Sequence, residues 1–222
     1  MVLKSVFFDL DGTLLDTAPD FVYVLNTLLE ENAERTLEDA RIRATVSSGA
    51  KALIKLGFGI DEDHHRFEPL RLRLLELYSK HLADKSTPFP GILETLNYLQ
   101  QNGIRWGVVT NKPLAYTQPL LNAISFPVAA AAVVCPDHTT HRKPHPEPLY
   151  LACKQTNCLP SEAIYLGDHQ RDIDAGKNAG MRTIACNYGY IEEGEDPEIW
   201  QADHIVNHGN ELIPLLQKYI QA

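Results

Sequence analysis

Residues 2–13 read VLKSVFFDLDGT. The stretch from Val2 to Leu10 is a short apolar run rich in β-branched and aromatic residues, which predicts a buried strand. It ends in two carboxylates, Asp9 and Asp11, followed by Gly12 and Thr13. An ordinary strand end has no need of that pair. A solvated turn is the bland reading of these residues, and a reactive site at the strand's carboxyl end is the sharper one.

Working outward, Thr17-Ala-Pro-Asp20 has the form of a helix start, with Thr17 as cap and Asp20 in the first turn. Phe21, Val24, Leu25, Leu28 and Leu29 then recur at the spacing of one amphipathic helix face. Leu70, Leu74, Leu77 and Tyr78 predict a second such face, with Arg71, Arg73 and Lys80 turned elsewhere. No strand pattern interrupts this region, and Pro88, Pro90 and Gly91 mark its end. Residues 16–84 are therefore expected to form an all-helical insertion in a domain built from residues 1–15 and 85–222.

Beyond the insertion, Ile92, Leu96 and Leu99 mark a helix that Asn102-Gly103 stops. Ile104–Thr110, Val128–Cys135, Ala163–Gly167 and Met181–Ala185 read as strands separated by helix-length segments. That alternation predicts an α/β fold, a parallel sheet covered by helices on both faces. Ligands of such sheets lie beyond the carboxyl ends of the strands. Asp9, Asp11, Thr110 and Asp168 all fall there, and Lys143 is expected to open the helix after the third strand.

The composition fits a soluble globular chain of 222 residues, with 44% hydrophobic and 22% charged residues. A net charge of −9 argues against a nucleic-acid partner, so any phosphate site must be built locally. No apolar run approaches the ~18 residues of a membrane span, and no small-residue cleavage site follows the N-terminal strand. A cytoplasmic location without membrane association is expected. Cys135, Cys153, Cys158 and Cys186 form no C-x-x-C pair and read as structural thiols of a reducing compartment. Nothing in the chain signals an oligomeric state.

Asp9-Leu10-Asp11-Gly12-Thr13 resembles the first motif of the haloacid dehalogenase superfamily. Val109-Thr110-Asn111-Lys112 is similar to its second motif, Lys143-Pro144 to its third and Gly167-Asp168-His169-Gln170-Arg171-Asp172 to its fourth. The resemblance covers essentially the whole chain and implies a Rossmann-like core with a mobile helical cap. It implies Asp9 as nucleophile, Asp11 as acid and base, and a small phosphorylated metabolite as substrate. It also implies Mg²⁺ held by Asp9, Asp168 and the main-chain carbonyl of Asp11, with Asp172 in support. Thr110, Asn111 and Lys143 become candidate substrate contacts.

Charge agrees with that implication. Asp9, Asp168 and Asp172 with a phosphate dianion sum to about −5, and like charges ~4 Å apart repel by about 4 kcal/mol at an effective dielectric of 20. Mg²⁺ and Lys143 would leave about −2 for Thr110 and oriented N–H groups. Hard carboxylate oxygens suit Mg²⁺.

Weaker signals stay open. Lys51, in Ser47-Ser48-Gly49-Ala50-Lys51, is either a solvated loop lysine or a contact for a substrate carboxylate. His169 reads as a neutral replacement within the fourth motif, with contact to the metal shell or substrate as the alternative. The irregular spacing of His138, His141 and His145 in a polar loop reads as solvated histidines. A hydrolase is the expected activity. A phosphotransferase of the β-phosphoglucomutase kind shares all four motifs, and a non-catalytic binding module is the third possibility. Dehalogenation is disfavoured, because halide release has no use for the proton of Asp11. The overall pattern resembles phosphoglycolate phosphatases. Cys135-Pro-Asp-His138, residues 146–154, Tyr188-Gly-Tyr-Ile191 and residues 200–206 resemble bacterial N-acetylmuramic acid 6-phosphate phosphatases.

Overall fold

A computed structural model describes residues 2–220. The central strand, β1 (Ser5–Phe8), is buried along its whole length. After it come β2 (Leu15–Asp16), α1 (Ala18–Glu31), α2 (Asp39–Thr45), α3 (Gly49–Phe58), α4 (Phe67–Lys80) and β3 (Thr87–Pro88). The chain continues through α5 (Ile92–Gln101), β4 (Arg105–Val109), α6 (Leu114–Ala123), β5 (Ala132–Val134), α7 (Glu147–Gln155) and β6 (Ala163–Gly167). It closes with α8 (Gln170–Ala179), β7 (Arg182–Cys186), β8 (His204–Val206) and α9 (Leu212–Ile220).

Six strands form one parallel sheet in the order β5-β4-β1-β6-β7-β8. Phe8 pairs with Val108 on one side and with Leu166 on the other. The chain winds outward from β1 through β4 to β5, then returns to β6 on the opposite flank. The reversal puts a crevice at the carboxyl end of β1. Alternation along β1 splits the core: Val6 and Phe8 join one apolar cluster with Leu96, Leu99, Leu212 and Leu216 of α5 and α9. Phe7 joins another with Leu149, Ala152 and Ala175 of α7 and α8. Helices therefore cover both faces.

Helices α1–α4 lie between β2 and β3, which pair antiparallel, Leu15 with Pro88 and Asp16 with Thr87. The helical segment thus leaves and re-enters the sheet domain through two adjacent strands. Its interior is the face anticipated from spacing: Phe21, Val24, Leu25, Leu28 and Leu29 of α1 are buried with Leu70, Leu74, Leu77 and Tyr78 of α4. Phe21 and Tyr78 stack with ring centroids 4.1 Å apart. Each such side chain contributes about 1.5–3 kcal/mol by leaving water. No helix among the described residues is long and apolar enough to cross a membrane. All four cysteines are free thiols.

Several local expectations need correction. The strand expected over Val128–Cys135 is only Ala132–Val134, because the alanines before it lack the branched side chains that favour an edge strand. The first strand is Ser5–Phe8 rather than Val2–Leu10. Lys143 does not open α7. The helix begins at Glu147, since a residue preceding proline is pushed out of the helical region and Pro144 and Pro146 follow one another closely. Thr17 occupies the cap position of α1, but its hydroxyl makes no capping bond and donates to Asp11 Oδ1 instead. Strand β8, three residues long, is too short to announce itself by alternation.

Candidate active site

The carboxylates meet where the sheet reverses. Asp9 directly follows β1, and its N–H extends the ladder to Leu166 O at 2.9 Å. Asp168 directly follows β6, and Asp172 lies in the first turn of α8. One oxygen from each of Asp9, Asp168 and Asp172 lies within 4.8 Å of the others, and all three residues are buried. Two glycines permit this crowding. Gly12 has φ +81°, and a Cβ there would sit 2.0 Å from Asp168 Oδ2. A Cβ on Gly167 would sit 2.2 Å from Asp172 Cβ.

A lysine is in direct contact with the cluster. Lys143 is buried, with its Nζ 2.9 Å from Asp9 Oδ1 and 2.7 Å from Asp172 Oδ1. It also donates to Val109 O at 3.1 Å and to the Tyr165 hydroxyl at 2.7 Å. One lysine cannot balance three buried carboxylates. Burial, and then repulsion from Asp9 and Asp172, push the Asp168 carboxyl up to about 7, even though it accepts from Tyr190 N and Thr13 Oγ1. Burial also raises Asp172 against the attraction of Lys143. Three clustered carboxylates, with the protonation of Asp168 and Asp172 favoured by burial, fit a hard divalent cation, which would take the place of the missing charge.

Asp11 stands apart from that cluster. It is half-buried and accepts from Thr17 Oγ1 at 2.5 Å and from Lys112 Nζ at 2.9 and 3.2 Å. The Lys112 ammonium also lies 4.9 Å from the Phe21 ring centroid and 4.6 Å from that of Tyr78. Burial works against its charge, yet Asp11 keeps its pKa above the ordinary lysine range. Thr110 is buried beyond β4, and its hydroxyl accepts from Lys112 N at 3.1 Å. The Asn111 amide donates to Lys143 O and accepts from Lys143 N, both at 3.1 Å, so its side chain is engaged in holding the lysine's main chain. Lys51 is exposed in the first turn of α3 and pairs with Glu62 at 2.5 Å.

These groups share one cavity of about 580 Å³, whose walls include Asp9, Asp11, Lys51, Thr110, Asn111 and Lys143. The helical segment forms its roof and touches the carboxylates directly. Ser47, in the turn after α2, donates to Asp168 Oδ2 at 3.0 Å, and Arg171 Nη2 donates to Ser47 O at 2.5 Å. Tyr190 joins the parts. Its N–H donates to Asp168 Oδ2 at 2.9 Å, while its hydroxyl accepts from Thr17 N and Ala18 N at 2.6 and 2.8 Å. That hydroxyl also donates to Asp16 Oδ1 at 2.8 Å, and Arg43 pairs with Asp16 while lying 4.9 Å from the Tyr190 ring centroid.

Sequence reasoning did not single out Lys112, Tyr165, Arg171 or Tyr190 for roles at the site. Lys112 could have been found, because it sits two residues from Thr110 at a strand end. The others owe their places to contacts between distant segments. His169 caps α8, its Nδ1 accepting from Arg171 N at 3.2 Å. Burial and nearby Arg171 push its ring down to about 4, so it stands neutral against Trp200.

Comparison with known proteins agrees with this geometry. Residues 6–186 match the family described as haloacid dehalogenase-like hydrolase. The chain is 43% identical over 218 residues to an N-acetylmuramic acid 6-phosphate phosphatase of Pseudomonas aeruginosa, covering 98% of this chain and 96% of that protein. It is 36% identical over 209 residues to a phosphoglycolate phosphatase of Xanthomonas campestris pv. campestris, covering 94% of each. A crystal structure of a predicted phosphoglycolate phosphatase from Haemophilus somnus 129pt superposes with a TM-score of 0.85 at 25% identity, covering 97% of this chain and 98% of that one.

Proposed function

The chain belongs to the haloacid dehalogenase-like hydrolase family, with phosphatases among its relatives, and on that footing we propose that it hydrolyses N-acetylmuramic acid 6-phosphate through an aspartyl-phosphate on Asp9. The observation that carries the reaction class is the Asp9 carboxylate at the wall of the cavity, with Lys143 fixed between it and Asp172. Both the Lys143 ammonium and the Leu10 N–H lie on Oδ1. Among the described residues no hydrogen bond engages Oδ2, which leaves a lone pair to attack phosphorus.

As the bond from Asp9 to phosphorus forms, the bond to the leaving oxygen breaks, and the Asp11 carboxyl gives that oxygen its proton. Asp11, now a carboxylate beside Lys112, takes a proton from water, whose oxygen attacks phosphorus and releases Asp9. Thr110 and Lys143 stabilise the equatorial oxygens. Asp9, Asp168 and the Asp11 carbonyl, with Asp172 in support, would hold Mg²⁺, which would supply the positive charge that the carboxylates and phosphate require. Residues 16–84 act as the cap that excludes water.

The 43%-identical relative named for N-acetylmuramic acid 6-phosphate supports the sugar acid, and the cavity has room for it. About 580 Å³ falls in the range of sites for drug-sized ligands, far more than glycolate needs. 2-Phosphoglycolate is the second reading, supported by the 36%-identical relatives of that name. Phosphate release from the two compounds tests the choice: kcat/KM is expected to favour the muramic acid phosphate by roughly tenfold or more. Equal or reversed preference overturns the substrate. Appearance of an isomeric sugar phosphate without free phosphate overturns the hydrolase in favour of a mutase.

A further inference from the structure

The loop that presents Lys143 carries histidines that hydrolysis leaves unused. In sequence, His138, His141 and His145 have no regular spacing, and the fold separates them. His138 turns back on its own loop, its Nδ1 accepting from Cys135 N at 3.1 Å. His141 and His145 come together, with ring centroids 4.3 Å apart and planes 27° from parallel. Glu147, the first residue of α7, closes the group. One ligating atom from each of His141, His145 and Glu147 lies within 4.8 Å of the others.

We propose that His141, His145 and Glu147 form a binding site for a first-row transition ion of the Zn²⁺ class, separate from the Asp9–Asp168–Asp172 cluster. The donor set decides the class of ion. Two imidazole nitrogens and one carboxylate oxygen suit Zn²⁺ and its neighbours, whereas Mg²⁺ prefers oxygen alone. Zinc takes ligands at about 2.0–2.2 Å, so donors already this close reach it by small side-chain rotations, and three protein ligands leave a fourth position for water.

The loop is folded around the carboxylate. Glu147 accepts from Thr140 N at 3.0 Å and from His141 N at 2.9 Å, and the His141 ring nitrogen Nδ1 lies 3.0 Å from its Oε2. His145 Nδ1 accepts from Glu147 N at 3.2 Å. The ordering cost of bringing the ligands together is thereby reduced. His141 and His145 also border a surface hollow of about 540 Å³, which gives an ion and its water access from solvent. Lys143 lies between the two histidines in the chain. A bound ion would therefore fasten both ends of the segment that delivers the lysine to Asp9 and Asp172. The site stands whether or not the phosphatase reading does.

Calorimetric titration of ZnCl₂ into the full chain, kept in excess Mg²⁺, tests it. One equivalent is expected to bind the unaltered protein, and the same event is expected in Asp168→Asn. His141→Ala and His145→Ala should each weaken it by roughly tenfold or more while retaining Mg²⁺-supported turnover. Substitution with Co²⁺ gives a second readout: a visible spectrum of imidazole ligation, present in Asp168→Asn and lost in His145→Ala. The proposal is overturned if no Zn²⁺ event occurs above the Mg²⁺ background, or if both histidine variants bind as the unaltered chain does. It is equally overturned if Asp168→Asn alone abolishes binding, which would put the ion among the aspartates.

Discussion

The rim of the parallel sheet and the helical segment above it border the same cavity but treat charge in opposite ways. At the rim, Lys143, Asp9 and Asp172 form ion pairs with side chains 7% exposed or less. On the helices, Lys51–Glu62, Lys55–Asp61, Arg73–Glu76 and Lys80–Glu76 are pairs with both partners more than a third exposed. An exposed pair is worth about 0–1 kcal/mol, whereas breaking a buried one leaves a charge with neither water nor partner and costs about 3–5 kcal/mol. Chemistry therefore resides where charge is expensive to hold. The helices carry their charge where water already solvates it.

Asp9→Asn should break the comparison most visibly. Turnover is expected to fall by about 10⁴-fold or more with the fold intact, because the amide keeps the shape and loses the nucleophile. Activity within tenfold of the unaltered enzyme would remove Asp9 from its role. Lys143→Met comes next. Without added Mg²⁺ it leaves Asp9 and Asp172 facing each other uncompensated, and a loss of about 3–5 kcal/mol in denaturant unfolding is expected. A midpoint unchanged within error would mean that the lysine is not holding the pair.

Lys51→Ala probes the other region. If the roof only tunes entry, KM should rise by roughly tenfold at most with kcat little changed, and stability should hold within about 0.5 kcal/mol. An equal fall in kcat and kcat/KM would give the roof a part in the transition state.

The smallest effect sharpens the electrostatics of the rim. Asp168 is pushed up to about 7, so between the unfolded value near 4 and pH 7 the folded, metal-free chain binds a proton that the unfolded chain does not. Its stability must then fall as pH rises through that window. His169, pushed down to about 4, acts with the opposite sign below pH 6.5. From pH 6.5 to 8 the Asp168 contribution exceeds what remains of that of His169, whose unfolded ring is still half protonated at pH 6.5, and a net loss of about 0.4 kcal/mol is expected in the absence of metal. Stability that rises over the same interval would show that the carboxylate is already ionised.

Much of this was legible along the chain because the informative residues are local in their logic. Short apolar runs located β1, β4 and β6, and Asp9, Thr110 and Asp168 each stand directly after one of them. The face of α1 emerged from spacing alone. Elements without a pattern of their own were misread or missed: β5, weakened by alanines, β8, three residues long, and the late start of α7 after two prolines. Asn111, a candidate substrate contact, stands at the cavity wall, and the sequence gives no sign that its amide also grips the Lys143 main chain, a bond made across 32 positions. Tyr190 carries no local signal of its position between Asp168 and the start of α1.

By itself, then, the order of residues determined a parallel α/β sheet, a helical interruption and the carboxylates Asp9 and Asp168 placed at strand ends. These follow from periodicity and from where polar groups interrupt apolar runs, properties that each segment carries alone. Only the tertiary structure decided that Lys143 stands between Asp9 and Asp172, that Tyr190 fastens the entry to the helices, and that His141 and His145 meet while His138 turns away. Those facts depend on which distant surfaces pack together, and burial then sets the strength of every charge among them.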